Sequence, residues 1–444
     1  SFNEGGMVSL ANLDRVVKVD KENMTVTVEA GARVSQVIDA LREHNLTLPN
    51  LASIAEQQMG GFTQIGAHGT GANIPPVDDF VTSLKLISPA RGIIELTPSD
   101  GEMFDLARVG LGCLGVVSEL TMKCIPAHNL LEHTYVLSRS EAKAQLNDLL
   151  KKHKHIRYMW IPYQDAVVVV TNDPENEDSA QIVEESKKSK EGIDTDSSKP
   201  LRDLLKELQL SKNENGHELT DESLKGMGFG ELRDALLAFD PLVGDHVEKV
   251  NKAEALFWKQ SEGYQIKPSD QLLQFDCGGQ QWVFEVCFAT GTYENNAGHD
   301  MKFMENLLER IETEKIPAHA PIEQRWSASS SSFMSPAHGP QEGLHCWVGI
   351  IMYLPSDDEA ERKDITNRFK GQYCNLARSV GAPFGVVSHW GKLEMPTNGQ
   401  NFLDLRQLMS KRYPLDKFNA ARQYYDPKNI LGNDLLNLIL GTPR

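Results

Sequence analysis

Residues 51–72 read LASIAEQQMGGFTQIGAHGTGA. Five glycines, Gly60, Gly61, Gly66, Gly69 and Gly71, crowd this stretch, with small or hydroxylated Ala52, Ser53, Thr63, Ala67, Thr70 and Ala72 and one imidazole, His68, around them. So little side-chain bulk lets a backbone approach a ligand closely, and glycine tolerates positive φ. Successive N–H groups in such a loop form an anion-binding concavity. A tight turn between strands is the competing reading of the same spacing. No Lys-Ser/Thr follows the glycines, which excludes a P-loop.

The flanks favour the ligand loop. Val26–Gly31 (VTVEAG) alternates like a half-buried strand, and Ala32–His44 places Val34, Val37, Ile38 and Leu41 at helical spacing. Val81–Ser88 and Val116–Lys123 read as further strands. From about Ala30 to Cys124 the chain resembles the second half of the FAD-binding domain of the vanillyl-alcohol-oxidase superfamily. That resemblance implies FAD as cofactor, with Ala52, Ser53, Gly60, Gly61, Gly66, His68, Gly69, Thr70 and Gly71 beside it.

A second cluster, Gly110–Gly115 (GLGCLG), matches G-x-G-x-x-G literally. The dinucleotide fingerprint needs a strand before it and a helix after it. Here a helical stretch, Glu102–Arg108, precedes and a β-rich run follows, so an NAD site is excluded. The same resemblance implies that Gly115, Val116 and Val117 offer backbone amides to FAD; a plain helix-to-strand turn is the alternative. Domains of this type open with a βαβ unit, roughly 30 residues or more. This chain opens SFNEGGMVSL, with Met7–Leu10 expected as a strand. It is therefore expected to be truncated or processed, and to hold FAD poorly without that unit.

Composition bounds the rest. A chain of 444 residues can build two or three cores. Its formal charge of −17, from 62 acids against 45 bases, argues against nucleic acid and suits basic partner surfaces. The six cysteines show neither C-x-x-C pairs nor zinc spacing, so free thiols and no metal site are expected. No apolar run approaches the roughly 20 residues of a spanning helix.

Three segments are expected, giving an α+β fold. Residues 1–127 form the FAD-binding domain. Residues 128–400 form an α+β cap with one antiparallel sheet, built on strands at His133–Leu137, Tyr158–Pro162, Ala166–Thr171, Leu272–Ala289 and Trp347–Leu354. Within the cap, 172–228 is polar and reads as a mobile insertion with one helix, Leu201–Leu210. Residues 401–444 form a helical segment completing the flavin site.

The sharpest polar cluster is Ile316–Trp326 (IPAHAPIEQRW). Glu323 and Arg325 stand at i and i+2, so on a strand they share a face. A structural ion pair is one reading. The other comes from a resemblance to aldonolactone oxidoreductases, in which this E-x-R pair lies over the flavin and holds the substrate. Phe275–Trp282 (FDCGGQQW), Trp347–Pro355, Arg362–Thr366 and Lys252–Tyr264 resemble the plant sugar-lactone dehydrogenases of that family, in the same order. His389–Lys392 (HWGK) is similar to the family's H-W-A-K, with Gly391 in place of Ala. Arg422–Asn433 resembles its terminal D-P-x-x-x-L-x-N turn.

The resemblance carries several implications. His389 and Lys392 would contact the flavin, a buried polar pair supporting the sheet edge being the alternative. Cys277 and Trp326 would lie near the substrate, with Cys277 otherwise a small packing residue beside Gly278 and Gly279. Glu323 would bind substrate hydroxyls and take a proton; Arg325, always charged, would stabilise developing negative charge. Ala52 stands where oxidases of the family carry Gly, which implies an electron acceptor other than oxygen. The implied acceptor is cytochrome c on the intermembrane-space side of the mitochondrial inner membrane. An association with respiratory complex I or its assembly intermediate is implied too. An aldonolactone oxidase and a catalytically inactive subunit of that assembly are the alternatives.

Overall fold

A computed structural model of the chain describes residues 6–190, 196–211, 221–274, 278–393 and 399–442. Two antiparallel sheets organise it. The first runs in the order Val16–Asp20, Thr25–Glu29, Val116–Lys123, Val81–Ser88, Gly92–Leu96. Alternation along Thr25–Glu29 turns Val26 and Val28 inward, where they meet the buried stripe Val34, Val37, Ile38 and Leu41 of the helix Val34–Arg42. That helix is started by Gln36, whose side-chain oxygen accepts from the Arg33 amide at 2.8 Å.

The second sheet has eight strands: Gly263–Pro268, Asn129–Leu137, Val167–Pro174, His155–Trp160, Ile322–Ala328, Gly343–Tyr353, Gln281–Thr292 and Val387–Ser388. One face packs on the helices Arg139–Lys152, His299–Thr313 and Cys374–Gly381 through Trp160, Phe284, Trp326 and Val348. The opposite face carries Arg157, Val170, Arg325, Trp347 and Cys287, which the register aligns in one row across five strands. Glu323, Gly349 and Glu285 form the neighbouring row.

The glycine-rich loop docks on that face. The Gly71 amide donates to the Trp326 carbonyl at 2.9 Å, and Gly71 bridges to Ser327 in parallel. The C-terminal helices Gly399–Arg412, Leu415–Tyr425 and Asp434–Leu440 return to the first sheet, where Met409, Phe418, Ala421 and Ile439 join its core.

Four local expectations are corrected. Residues 7–10 form no strand; Met7 and Val8 are exposed. Gly60 and Gly61 are not in an extended loop but in the short helix Met59–Gln64, where Gly60 allows close packing on Ala30. The stretch Leu272–Ala289 begins with the helical turn Ser269–Leu273, and its strand starts only at Gln281. Residues 172–228 are not a bare mobile insertion. Asn172–Pro174 complete a strand, and the helices Ser179–Lys188, Lys199–Ser211 and Asp221–Gly226 follow. Leu201, Leu205 and Leu224 bury themselves with Leu232, Leu236 and Val250 in a satellite core. The five cysteines among the described residues are free thiols, and no described helix is long and apolar enough to cross a membrane.

Candidate functional site

Arg325 and Glu323 project from one face of the strand Ile322–Ala328, as period-two alternation requires. Arg325 is buried and its Nε lies 3.3 Å from Glu323 Oε2. Its Nη2 donates to Glu285 Oε1 at 2.6 Å. Glu285 is only 1 % exposed and accepts twice more on Oε2, from Lys392 Nζ at 2.7 Å and His68 Nε2 at 3.1 Å. A single carboxylate thus ties together the glycine-rich loop, the E-x-R strand and the His389–Lys392 turn. The turn is fixed separately, because the His389 amide donates to the Glu285 carbonyl at 2.9 Å and the His389 ring accepts from the Gly391 amide at 2.9 Å. A Cβ at Gly391 would fall 2.5 Å from the terminal methyl of Ile65 and in ordinary contact with the His389 ring at 3.4 Å.

Burial alone would raise the Glu285 carboxyl, but Lys392, His68 and Arg325 outweigh it and hold it well below the usual carboxylate range. Burial pushes the His68 imidazole down to about 4 against the pull of Glu285, and burial with Lys392 pushes His389 well down. Both rings are neutral at pH 7. The one proton of His68 belongs on Nε2, since a carboxylate outcompetes the Gly69 carbonyl 3.1 Å from Nδ1. The His68 ring stacks on Trp347 at 3.7 Å between centroids and 13° between planes. Ligand atoms of His68, Glu285 and His389 lie within 4.8 Å of one another. With a guanidinium and an ammonium already on both Glu285 oxygens, this group is an ion-pair hub and repels a metal cation.

Beside Arg325 lies a cavity of about 20 Å³ bordered by Gly69, Thr70, Arg157, Val170 and Asn172. Leu51, next to Ala52 and Ser53, also borders it; those two are half-buried on the rim of the first core. Glycine is required at Gly69, where a Cβ would fall 2.1 Å from Asn50 Oδ1 and 2.2 Å from the Leu51 carbonyl. Left-handed φ occurs at Gly66 (62°) and Gly71 (128°). The loop therefore presents backbone and Thr70 to a space that also receives a guanidinium. Backbone amides and a guanidinium are donors that suit the carbonyl oxygens of the flavin ring and the pyrophosphate of FAD, which would lie along the loop; the cavity itself, at about 20 Å³, has room only for a small group.

The structure brings His68, Gly69, Thr70, Arg325, Glu323, His389 and Lys392 together. It does not bring in Trp326, which is turned to the opposite face and donates from Nε1 to Asp300 at 2.9 Å inside the helix-covered core. The expectation of Trp326 beside the substrate is corrected: Trp347, one strand over from Arg325, occupies the site face. Gly115, Val116 and Val117 lead into their strand against Leu86 and Ile87 of the first sheet. Cys277 lies outside the described residues. Glu285 was missed by the sequence reading, although a lone acid in the apolar run WVFEVCFA is a signal of a buried, paired charge. Replacing it by Gln keeps an acceptor but removes the charge. Glu285→Gln is expected to lower the unfolding free energy of the FAD-loaded protein by ~2 kcal/mol, read from urea midpoints; an unchanged midpoint would show the hub contributes nothing.

Comparison with known proteins agrees along the chain. The family described as D-arabinono-1,4-lactone oxidase matches residues 120–439, and the FAD binding domain family matches residues 1–97. The chain is 48% identical over 436 residues to L-galactono-1,4-lactone dehydrogenase 2, mitochondrial, of Oryza sativa subsp. japonica, covering 98% of this chain and 74% of that protein. It is 27% identical over 440 residues to L-gulonolactone oxidase of Bos taurus, covering 98% and 86%. A solvent-stable cholesterol oxidase superposes with a TM-score of 0.71 at 15% identity, over 96% of this chain and 84% of that one; at that identity the likeness shows the fold.

Proposed function

Since the chain belongs to the D-arabinono-1,4-lactone oxidase family, an FAD-dependent aldonolactone oxidoreductase of the vanillyl-alcohol-oxidase-type α+β fold, we propose that it oxidises L-galactono-1,4-lactone to L-ascorbate and passes the electrons to cytochrome c. The observation that carries the site assignment is Glu323. Its Oε2 lies against Arg325, while its buried Oε1 has no hydrogen-bond partner among the described residues. A buried carboxylate oxygen without a donor can accept from a substrate hydroxyl, and this one stands beside Arg325.

FAD, which the backbone of His68, Gly69 and Thr70 would hold, would supply the hydride acceptor for the alcohol carbon. Glu323 Oε1 accepts the hydrogen bond of the reacting hydroxyl and then its proton. Arg325, fixed by Glu285, faces the oxygen as negative charge develops there. Fixed charge in a water-poor site stabilises such a transition state without reorganisation. Lys392 stands on the far oxygen of Glu285 and keeps the hub charge-balanced. The oxidised lactone then enolises to the ascorbate form.

Identity to the rice dehydrogenase well above that to the cattle oxidase supports a dehydrogenase. The name of the rice protein supports a mitochondrial location. An acidic chain suits a basic acceptor, which supports cytochrome c and, with it, the intermembrane-space side of the inner membrane. Association with a complex I assembly intermediate is the remaining part of the proposal, checked by co-migration on native gels. Turnover of L-galactono-1,4-lactone with cytochrome c reduction tests the main reading; rapid turnover with oxygen alone would favour the oxidase instead.

Ala52 bears on that choice. It follows the cavity residue Leu51 and packs against the first core. Interiors are close-packed, so one methyl group closes a narrow passage. Ala52→Gly is expected to speed reoxidation of the reduced protein by oxygen severalfold, with reduction by lactone unchanged. Stopped-flow mixing with oxygenated buffer measures it. Equal reoxidation rates, or a fast rate in the unmutated protein, would remove Ala52 from the mechanism.

A further inference from the structure

Asn172 sits on the strand Val167–Pro174, two residues from Val170 and on the same face. Val170 pairs with Arg157, and Arg157 pairs with Arg325. Asn172 is thus two strand spacings, roughly 10 Å, across from the E-x-R strand, and two residues further along than Arg325 on the side away from Glu323. It is 5% exposed, and its Oδ1 is buried with no hydrogen-bond partner among the described residues. It borders the same cavity as Arg325, Gly69 and Thr70. The remaining wall is Arg157 and the apolar Leu51, Ile156, Val170, Leu272 and Leu273.

A buried amide oxygen without a donor, facing a cavity, is a place where a ligand hydroxyl can complete the hydrogen bonding. An amide both donates and accepts, which matches a hydroxyl, whereas Arg157 and Arg325 in the same wall can only donate. We infer that this cavity is a subsite for the hydroxylated end of an aldonolactone, remote from the carbon being oxidised, and that Asn172 is its specificity-determining residue. The inference rests on the aldonolactone reading above. The two ends of a six-carbon lactone then meet different strands of one rigid sheet, Arg325 and Glu323 at the reacting carbon and Asn172 at the tail. A five-carbon lactone without the terminal hydroxymethyl group leaves the amide unpaired.

The test uses the FAD-loaded protein and its Asn172→Leu and Asn172→Asp variants. L-galactono-1,4-lactone is compared with a five-carbon lactone of the same ring configuration. KM, kcat, calorimetric dissociation constants and flavin content are measured. Asn172→Leu is expected to raise KM and the dissociation constant of the six-carbon lactone about tenfold, with the five-carbon lactone, kcat and flavin content nearly unchanged. Asn172→Asp, which keeps an acceptor, is expected to lose less. Equal losses for both lactones, or no loss for either, would overturn the subsite. Loss of flavin in both variants would assign the amide to the cofactor and overturn it too. If the unmutated protein turns over neither lactone, the aldonolactone reading itself has failed, and the subsite falls with it.

Discussion

Arg325→Ala is expected to lower kcat/KM for the lactone by roughly 2–4 kcal/mol, about 30- to 1,000-fold, while FAD remains bound. The guanidinium lies beside Glu323, the proposed proton acceptor, and is held by Glu285. Its removal takes away the fixed positive charge next to Glu323 without disturbing the glycine-rich loop, which is held by its own backbone bond to Trp326. Glu285 would keep Lys392 and His68 as partners, so the hub should survive. Glu323→Gln, in contrast, is expected mainly to raise KM. Steady-state kinetics normalised to bound flavin separates these outcomes; near-normal kinetics in both variants would make the pair structural.

Gly69→Val should abolish stoichiometric flavin binding while leaving the eight-stranded sheet folded. A Cβ at this position overlaps Asn50 Oδ1 and the Leu51 carbonyl, both within 2.2 Å. Neither is a flexible side-chain end free to withdraw: Asn50 is itself pinned, donating to the Pro75 carbonyl at 2.9 Å and accepting from the Leu51 amide at 2.9 Å. The loop must therefore lift away from residues 50–51, widening the space in which the cofactor is proposed to lie. The cap core, centred on Trp326, Phe303 and Ile350, draws no side chain from the loop except Ala72. Flavin absorbance against protein concentration, with far-UV circular dichroism as the control for folding, reads the result. A variant that keeps one flavin per chain would move the cofactor elsewhere.

Much of the architecture could be read from local pattern. Alternation placed Glu323 and Arg325 on one strand face, and helical spacing marked Val34, Val37, Ile38 and Leu41 as buried. The glycine-rich loop and the HWGK turn were visible as separate signals. What joins them was not, because Glu285 reaches His68 across 217 positions and Lys392 across 107. Such contacts depend on sheet register, which no local pattern supplies. Trp326 failed for a related reason: a sequence neighbour on a strand faces the opposite side. Within the polar stretch 172–228 the helix over Leu201–Leu210 was legible, but the burial of Leu201 and Leu205 was not, because Leu232, Leu236 and Val250, which they pack against, lie outside that stretch. Asn172, at its first position, read as loop rather than as a buried strand residue lining the cavity.

The central claim is that this chain holds FAD where Glu323 and Arg325 meet an aldonolactone. The most direct measurement is anaerobic addition of L-galactono-1,4-lactone to the FAD-loaded protein, followed by its visible absorbance. The account predicts full bleaching of the flavin band within seconds, recovery on adding cytochrome c, and little recovery with oxygen. A flavin that stays oxidised in excess lactone would contradict it.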